Sequence, residues 1–281
     1  MAAATLVVVA AFVLAFIHDS PDSDEVASSS SFINGQLWTK IDASDFHGVG
    51  LIDTGTSRSL FVEQLIVANT EGDEILVETA FNTAKIPTFL AKEVEIFGQV
   101  AEARRVFKPR KKYSIIGIDY LLNKKRVLLS SKKKLSFDYI SSEEFSYCSG
   151  ITMHYSGVDS ENRIAAIFMD LPINGANEKV FIDTGHNTFI EATGQYQSQR
   201  EPQRRVLNFL SNALGESRFE WYGEVPVRIS IGEKNFSFKI KHYFENKSAN
   251  APFVIGSLFL EQFDIYIEFE NKLVCLREAR D

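Results

Sequence analysis

The chain has 281 residues, 45% of them apolar and 24% charged, with 23 phenylalanines; that much apolar matter buries a core and excludes a wholly disordered protein. Only 16 glycines and 7 prolines exclude a collagen-like or low-complexity chain. The net charge of −7 gives no general affinity for nucleic acid, and residues 1–31 hold four of the acids and no base, which leaves the rest at −3.

In chain order, Ala2 to Ile17 is an apolar run broken only by Thr5. It is short for a membrane span and has the length of a signal-peptide core. It carries no basic start, and Glu25-Val26-Ala27 is the nearest cleavage candidate. Residues 18–31 are acidic and Ser-rich and read as a linker. Residues 1–31 are therefore expected to be a signal peptide or membrane anchor plus linker. The protein is expected to be exported, whether periplasmic, secreted or membrane-tethered.

A tandem duplication organises the remainder. Gly50-Leu51-Ile52-Asp53-Thr54-Gly55-Thr56 returns 130 residues later as Val180-Phe181-Ile182-Asp183-Thr184-Gly185-His186. Ile115-Ile116-Gly117, with a short amphipathic stretch to Leu121, returns 139 residues later as Val254-Ile255-Gly256, followed by Ser257 to Leu260. A hairpin pattern closes each copy: Arg126 to Leu129 with Leu135 to Phe137, then Phe263 to Ile267 with Leu273 to Cys275. Between these motifs the chain reads mainly as strand: Ile75 to Val77 with Thr79, Val94 to Phe97, and Val225 to Ile231. Turns are marked by Glu71-Gly72-Asp73, Asn174-Gly175 and Gly232-Glu233. The clearest helix expectation is Pro202 to Leu214, where Val206, Leu207, Phe209, Leu210 and Leu214 recur at helical spacing between Pro202 and Gly215. It lies in the longer second copy and would account for the nine extra residues.

One Asp-Thr-Gly is weak evidence, since such a tripeptide is an ordinary turn after a strand. Two copies carry more weight. Each follows an apolar strand and precedes an apolar-apolar-Gly, at 64 and 73 residues from Asp to the later Gly.

On these motifs residues 32–281 resemble a single-chain aspartic protease built from two retropepsin-like halves. The resemblance implies an all-β, bilobal fold from two β-barrel halves with short helices, an N-terminal lobe over 32–140 and a C-terminal lobe over 141–281. It implies Asp53 and Asp183 as the catalytic pair. Thr54 and Thr184 would exchange hydrogen bonds across a pseudo-twofold axis, and Gly55 and Gly185 would let the backbone approach the carboxylates. Two carboxylates a few Å apart cannot both ionise easily, so they share one proton. One takes a proton from a water that attacks the scissile carbonyl, and the other stabilises the oxyanion. Neither metal nor cofactor is required. The expected partner is an extended peptide or protein substrate, with no nucleic acid and a tether to the membrane only through the N-terminal segment, and a monomer is expected.

By alignment of the copies, Phe81, Asn82 and Thr83 mark a flap tip in the first half and Gly215 and Glu216 in the second, although the glycine-rich retroviral flap is absent. Plain surface hairpins are the other reading. Thr56 fits the family pattern of a hydroxyl beside its Asp. His186 does not; its imidazole either faces the dyad and alters its charge or points to solvent or the cleft wall. That departure keeps a second function open, a catalytically silent protein of the same fold that binds peptides or a partner. A third is a structural domain whose duplicated turns serve packing only.

The basic run from Lys108 to Lys134 reads as a solvated face rather than an anion-binding surface. Trp38 and Trp221 read as packing residues, Trp221 with the alternative of lining the cleft. Asn235-Phe236-Ser237 and Asn246-Lys247-Ser248 match glycosylation sequons. Cys148 and Cys275 allow one disulfide in an oxidising compartment or two separately buried thiols. They lack metal-ligand spacing, and the five histidines are scattered, so no metal site is expected.

Overall fold

The computed structural model describes residues 20–27, 30–78, 83–101, 105–106, 108, 111–132, 134–155, 164–196, 205–211, 217–243 and 251–279. The apolar run Ala2–Ile17 and the flap residues Phe81, Asn82, Gly215 and Glu216 lie outside them. The first half contributes β1 (Ser31–Ile33), β2 (Gln36–Ala43), β3 (Phe46–Ile52), β4 (Glu74–Glu78), β5 (Thr83–Pro87), β6 (Phe89–Leu90), β7 (Val94–Ile96), β8 (Gln99–Ala101), β9 (Arg105–Val106) and β10 (Ser114–Ile116). A five-residue helix, Ile118–Leu122, leads to β11 (Arg126–Ser130) and β12 (Lys134–Ser136). The second half contributes β13 (Tyr147–Tyr155), β14 (Ile164–Ile173), β15 (Ala176–Ile182), β16 (Ile190–Ala192), β17 (Arg205–Ser211), β18 (Ser217–Ile231), β19 (Lys234–Tyr243), β20 (Phe253–Ile255), β21 (Phe263–Glu268) and β22 (Leu273–Glu278). The protein is all-β.

Two sheets hold most of these strands. The smaller runs β10-β3-β2-β7-β8, with β1 beside β2. The larger runs β12-β11-β21-β22-β13-β14-β15-β20-β16-β19-β18-β17. A further pairing, Ile173 with Ile229, joins β14 to β18 and curls this sheet towards a barrel. The hairpin β11–β12 comes from the first half yet pairs with β21 of the second, Val127 opposite Ile267. One apolar cluster accordingly runs through both halves, from Leu37 and Ile52 through Val127 to Ile182, Ile255 and Leu276.

Residue pattern accounts for strand position. In β18 the buried Val225, Val227, Ile229 and Ile231 alternate with exposed Glu224, Pro226 and Arg228, as on a sheet with one wet face. In β21 and β22 consecutive residues are apolar because both faces are covered, as at Ile265-Tyr266-Ile267 and Val274-Cys275-Leu276. Asn174-Gly175 forms the two-residue turn between β14 and β15 with both residues left-handed, at φ 54° and 84°. Within the same buried layer Arg277 donates from Nε to Asp264 Oδ2 at 2.9 Å, and both side chains are almost fully enclosed. A buried charge needs such a partner.

One expectation is corrected. The segment expected as a helix over Pro202–Leu214 has Arg205–Ser211 in strand β17, paired along its length with β18. Leu207 and Phe209 also satisfy a period of two, and the register sets them opposite Trp221 and Phe219. A seven-residue ladder supplies the backbone partners that the short helical pattern would otherwise have had to find alone. The expected linker is also partly docked. Val26 is buried with Trp38, Leu51 and Tyr113, and Leu135 donates its backbone N–H to Ser30 Oγ at 2.8 Å. Among the described residues no helix is long and apolar enough to cross a membrane.

Cys148 and Cys275 are direct cross-strand partners on β13 and β22 and form a disulfide, with Cα atoms 4.1 Å apart. The bridge closes a segment of 127 residues, so it removes substantial freedom from the unfolded chain. Reducing it, or replacing both cysteines by serine, is expected to lower stability by about 2–5 kcal/mol in urea denaturation. An unchanged midpoint would show that the two strands are held without it.

Candidate active site

Each Asp-Thr-Gly begins where a strand ends in a fully buried isoleucine, Ile52 or Ile182. Asp53 follows β3 and Asp183 follows β15, and each lies beside a parallel neighbour, β10 or β20. Asp53 N–H donates to Ile116 O at 3.0 Å, and Asp183 N–H to Ile255 O at 2.9 Å. The repeated apolar-apolar sequence is thus the strand that holds each aspartate's backbone. Its glycine passes against the loop. A Cβ on Gly117 would stand 2.7 Å from Thr56 O, and one on Gly256 2.3 Å from His186 O. Ser59 Oγ reinforces the first loop, accepting from Gly117 N–H and donating to Asp119 Oδ1.

The two loops meet and interlock. Thr54 N–H donates to Thr184 Oγ1 at 3.1 Å, and Thr184 N–H donates to Thr54 Oγ1 at 3.0 Å. Each hydroxyl then donates across the junction, Thr54 to Ile182 O at 2.8 Å and Thr184 to Ile52 O at 2.9 Å. Both threonines are fully buried, so the four bonds form in a dry environment. The carboxylates are brought face to face over the opposing glycines. A Cβ on Gly55 would lie 2.3 Å from Asp183 Cγ, and one on Gly185 2.2 Å from Asp53 Cγ.

The pair is not symmetric. Asp53 Oδ1 accepts from Gly55 N–H at 2.8 Å, and its Oδ2 accepts from Thr56 Oγ1 at 2.6 Å. Asp183 Oδ1 accepts from Gly185 N–H at 3.1 Å. The residue equivalent to Thr56 is His186, whose ring Nε2 lies 2.9 Å from Glu191 Oε2 rather than on Asp183. Burial, then the charge of Asp53 and a hydrogen bond with it, push Asp183 up to about 7 against the opposing pull of the His186 charge. Burial would favour a neutral imidazole at His186; the charge and hydrogen bond of Glu191, with Asp183, reverse this and raise it to about 9. Burial likewise works against the Glu191 carboxylate, but His186, Lys241 and Thr188 hold it below its ordinary value.

The structure therefore brings together Asp53, Thr54, Gly55, Thr56, Asp183, Thr184 and Gly185, and turns the next residue, His186, towards Glu191. Of the flap candidates only Thr83 is among the described residues, and the strands that precede and follow both flap segments pair as hairpins. β4–β5 pairs Glu78 with Thr83, and β17–β18 pairs Ser211 with Ser217. Trp38 packs edge-on against Tyr113, whereas Trp221 is 47% exposed. Several bases of the Lys108–Lys134 run have local partners: Lys108 pairs with Glu63, Lys125 with Glu270, and Arg126 lies over the Tyr139 ring. Sequence reasoning missed Glu191. Its one signal was a carboxylate inside the apolar run Phe189-Ile190-Glu191-Ala192, five residues after the anomalous histidine. Among the described residues no group of three or more His, Cys, Asp or Glu is arranged to hold a metal.

No protein-family model matches this chain, and no curated protein matches it either.

Replacing Thr54 by Val removes a hydroxyl that both donates and accepts, and leaves Thr184 N–H and Ile182 O buried without it. A loss of about 2–4 kcal/mol is expected in urea denaturation. Thr54→Ser should retain most of the stability, and a Thr54→Val protein as stable as the natural one would contradict the interlock.

Proposed function

We propose that the chain is an aspartic endopeptidase of the two-lobed type, with Asp53 and Asp183 as its catalytic pair. The observation that carries this reading is the reciprocal Thr54–Thr184 exchange, which presses two carboxyls together over the opposing glycines. A packing turn has no need to set two acids side by side, since such an arrangement costs stability unless a proton is shared.

The asymmetry divides the labour. Asp53, which accepts two hydrogen bonds, is assigned the base that takes a proton from an attacking water. Asp183, raised to about 7, retains the shared proton and offers it to the oxygen of the scissile carbonyl as charge develops there. When the gem-diol intermediate collapses the C–N bond breaks, the leaving nitrogen takes the proton held by Asp53, and one gem-diol hydroxyl returns its proton to Asp183, which restores the singly protonated pair. An extended peptide would lie across the pair, bound through its backbone, with the β4–β5 and β17–β18 hairpins as candidates to close over it. The disulfide agrees with the exported location proposed from the N-terminal sequence.

His186 favours one rival, a silent binder of the same fold, because it takes the place of a hydroxyl donor to Asp183. Cleavage assays separate the two. Asp53→Asn or Asp183→Asn is each expected to reduce peptide cleavage by about 10³-fold or more, and a statine-type inhibitor should bind the natural protein and not the variants. Full cleavage by either variant, or binding of peptides with no cleavage by the natural protein, would overturn the assignment. Activity needs the singly protonated pair, so kcat/KM should fall as pH rises through about 7, where Asp183 loses its proton. A rate still rising at pH 9 would contradict this.

A further inference from the structure

His186 and Glu191 form a charged unit that the repeat does not explain. In the first half the third residue after the aspartate is Thr56, and its hydroxyl donates to Asp53. In the second half that position carries a ring directed at a carboxylate on a different element. Glu191 sits mid-strand in β16 between fully buried Ile190 and Ala192, and its side chain is 8% exposed. A carboxylate so far from water stands in an apolar strand only with an opposite charge or strong donors beside it. Its register neighbours are Val254 on β20 and Lys241 on β19. The groups that act on the His186 ring come from three elements: Asp183 on its own loop, Glu191 on β16 and Lys241 on β19. Asp53 faces Asp183 from the opposite loop, and Tyr243 on β19 lies near enough to Glu191 to feel its charge.

Resting on the reading of Asp53 and Asp183 as the catalytic pair, we propose that Glu191 is a positioning residue that holds His186 as an imidazolium against β16, so that a fixed positive charge, and not a hydroxyl donor, stands beside Asp183. The ring remains partly exposed, with 35% of the side chain accessible. Its effect on the pair has a definite sign. Burial and the charge of Asp53 both resist ionisation of Asp183, and the imidazolium opposes them. The ring is raised to about 9 and Asp183 to about 7, so the cation is present throughout the pH range in which Asp183 loses its proton.

Glu191→Gln removes the counter-charge, and burial then favours the neutral ring. Asp183 should lose its proton beside an uncharged imidazole, at a pH higher by about one unit. The test is a pair of NMR titrations on the intact chain, the His186 ring by its ring resonances and Asp183 by its carboxyl carbon, set beside the pH dependence of kcat/KM. The expected result is a natural ring that titrates near 9 and falls to 6.5 or below in Glu191→Gln. The Asp183 titration and the alkaline limb should move up together. Glu191→Asp retains the charge and should restore most of the natural profile. His186→Gln removes the cation from the other side and should move Asp183 in the same direction. A natural ring that titrates near 6.5, or an Asp183 titration unmoved when the ring becomes neutral, would overturn the proposal. If the chain cleaves no peptide, the proposed function fails, while the two NMR titrations still decide whether Glu191 controls the charge beside Asp183.

Discussion

Four hydrogen bonds made by two buried threonines hold the centre of this protein. Thr54 and Thr184 each accept from the other's backbone N–H and donate to a carbonyl at the end of the strand opposite, Ile182 or Ile52. Those strand ends are themselves fixed by parallel neighbours, β10 and β20, so the junction joins two rigid frames rather than two loose loops. The geometry that follows is forced. With the threonines crossed, the aspartates one residue before them must face each other, and the glycines one residue after them must have no side chain. The larger sheet serves the same end, since β11–β12 of the first half is built into the sheet of the second.

Two acids forced together do not remain equivalent. Asp53 accepts from a hydroxyl and an amide, whereas Asp183 has the amide of Gly185 and a histidine that has turned towards Glu191. The same backbone plan, used twice, thus yields two chemical environments because one residue in each loop differs. In the proposed reaction that difference sets direction: one group is ready to accept a proton and the other to donate one. The cation at His186 limits how far the difference can grow.

Much of this was legible in the sequence because the duplication repeats backbone requirements. Asp-Thr-Gly and the later apolar-apolar-Gly demand particular residues at particular places, and the strands at Val94–Ile96 and within Val225–Ile231 announced themselves by their branched and aromatic residues. The β17 strand was misread because Val206, Leu207, Phe209 and Leu210 fit periods of both 3.6 and 2. Only the pairing with β18, a non-local fact, decides between them. The cysteine pair stayed open for the same reason, since its register follows from the alignment of β13 with β22. Glu191 was hidden more deeply. A carboxylate in an apolar strand looks like an edge or a wet face until the fold brings His186 to it, and the direction of the His186 ring is settled by that partner and not by its own neighbours in sequence.

The interlocked threonines bind the two aspartates into a single acid–base unit. The most direct test of this coupling is the titration of the Asp183 carboxyl followed by carbon NMR, in the natural chain and in Asp53→Asn. The expected midpoint is near 7 in the natural protein and moves down once the Asp53 charge is gone. An Asp183 that titrates near the ordinary carboxyl value, or one indifferent to the residue at position 53, would contradict it.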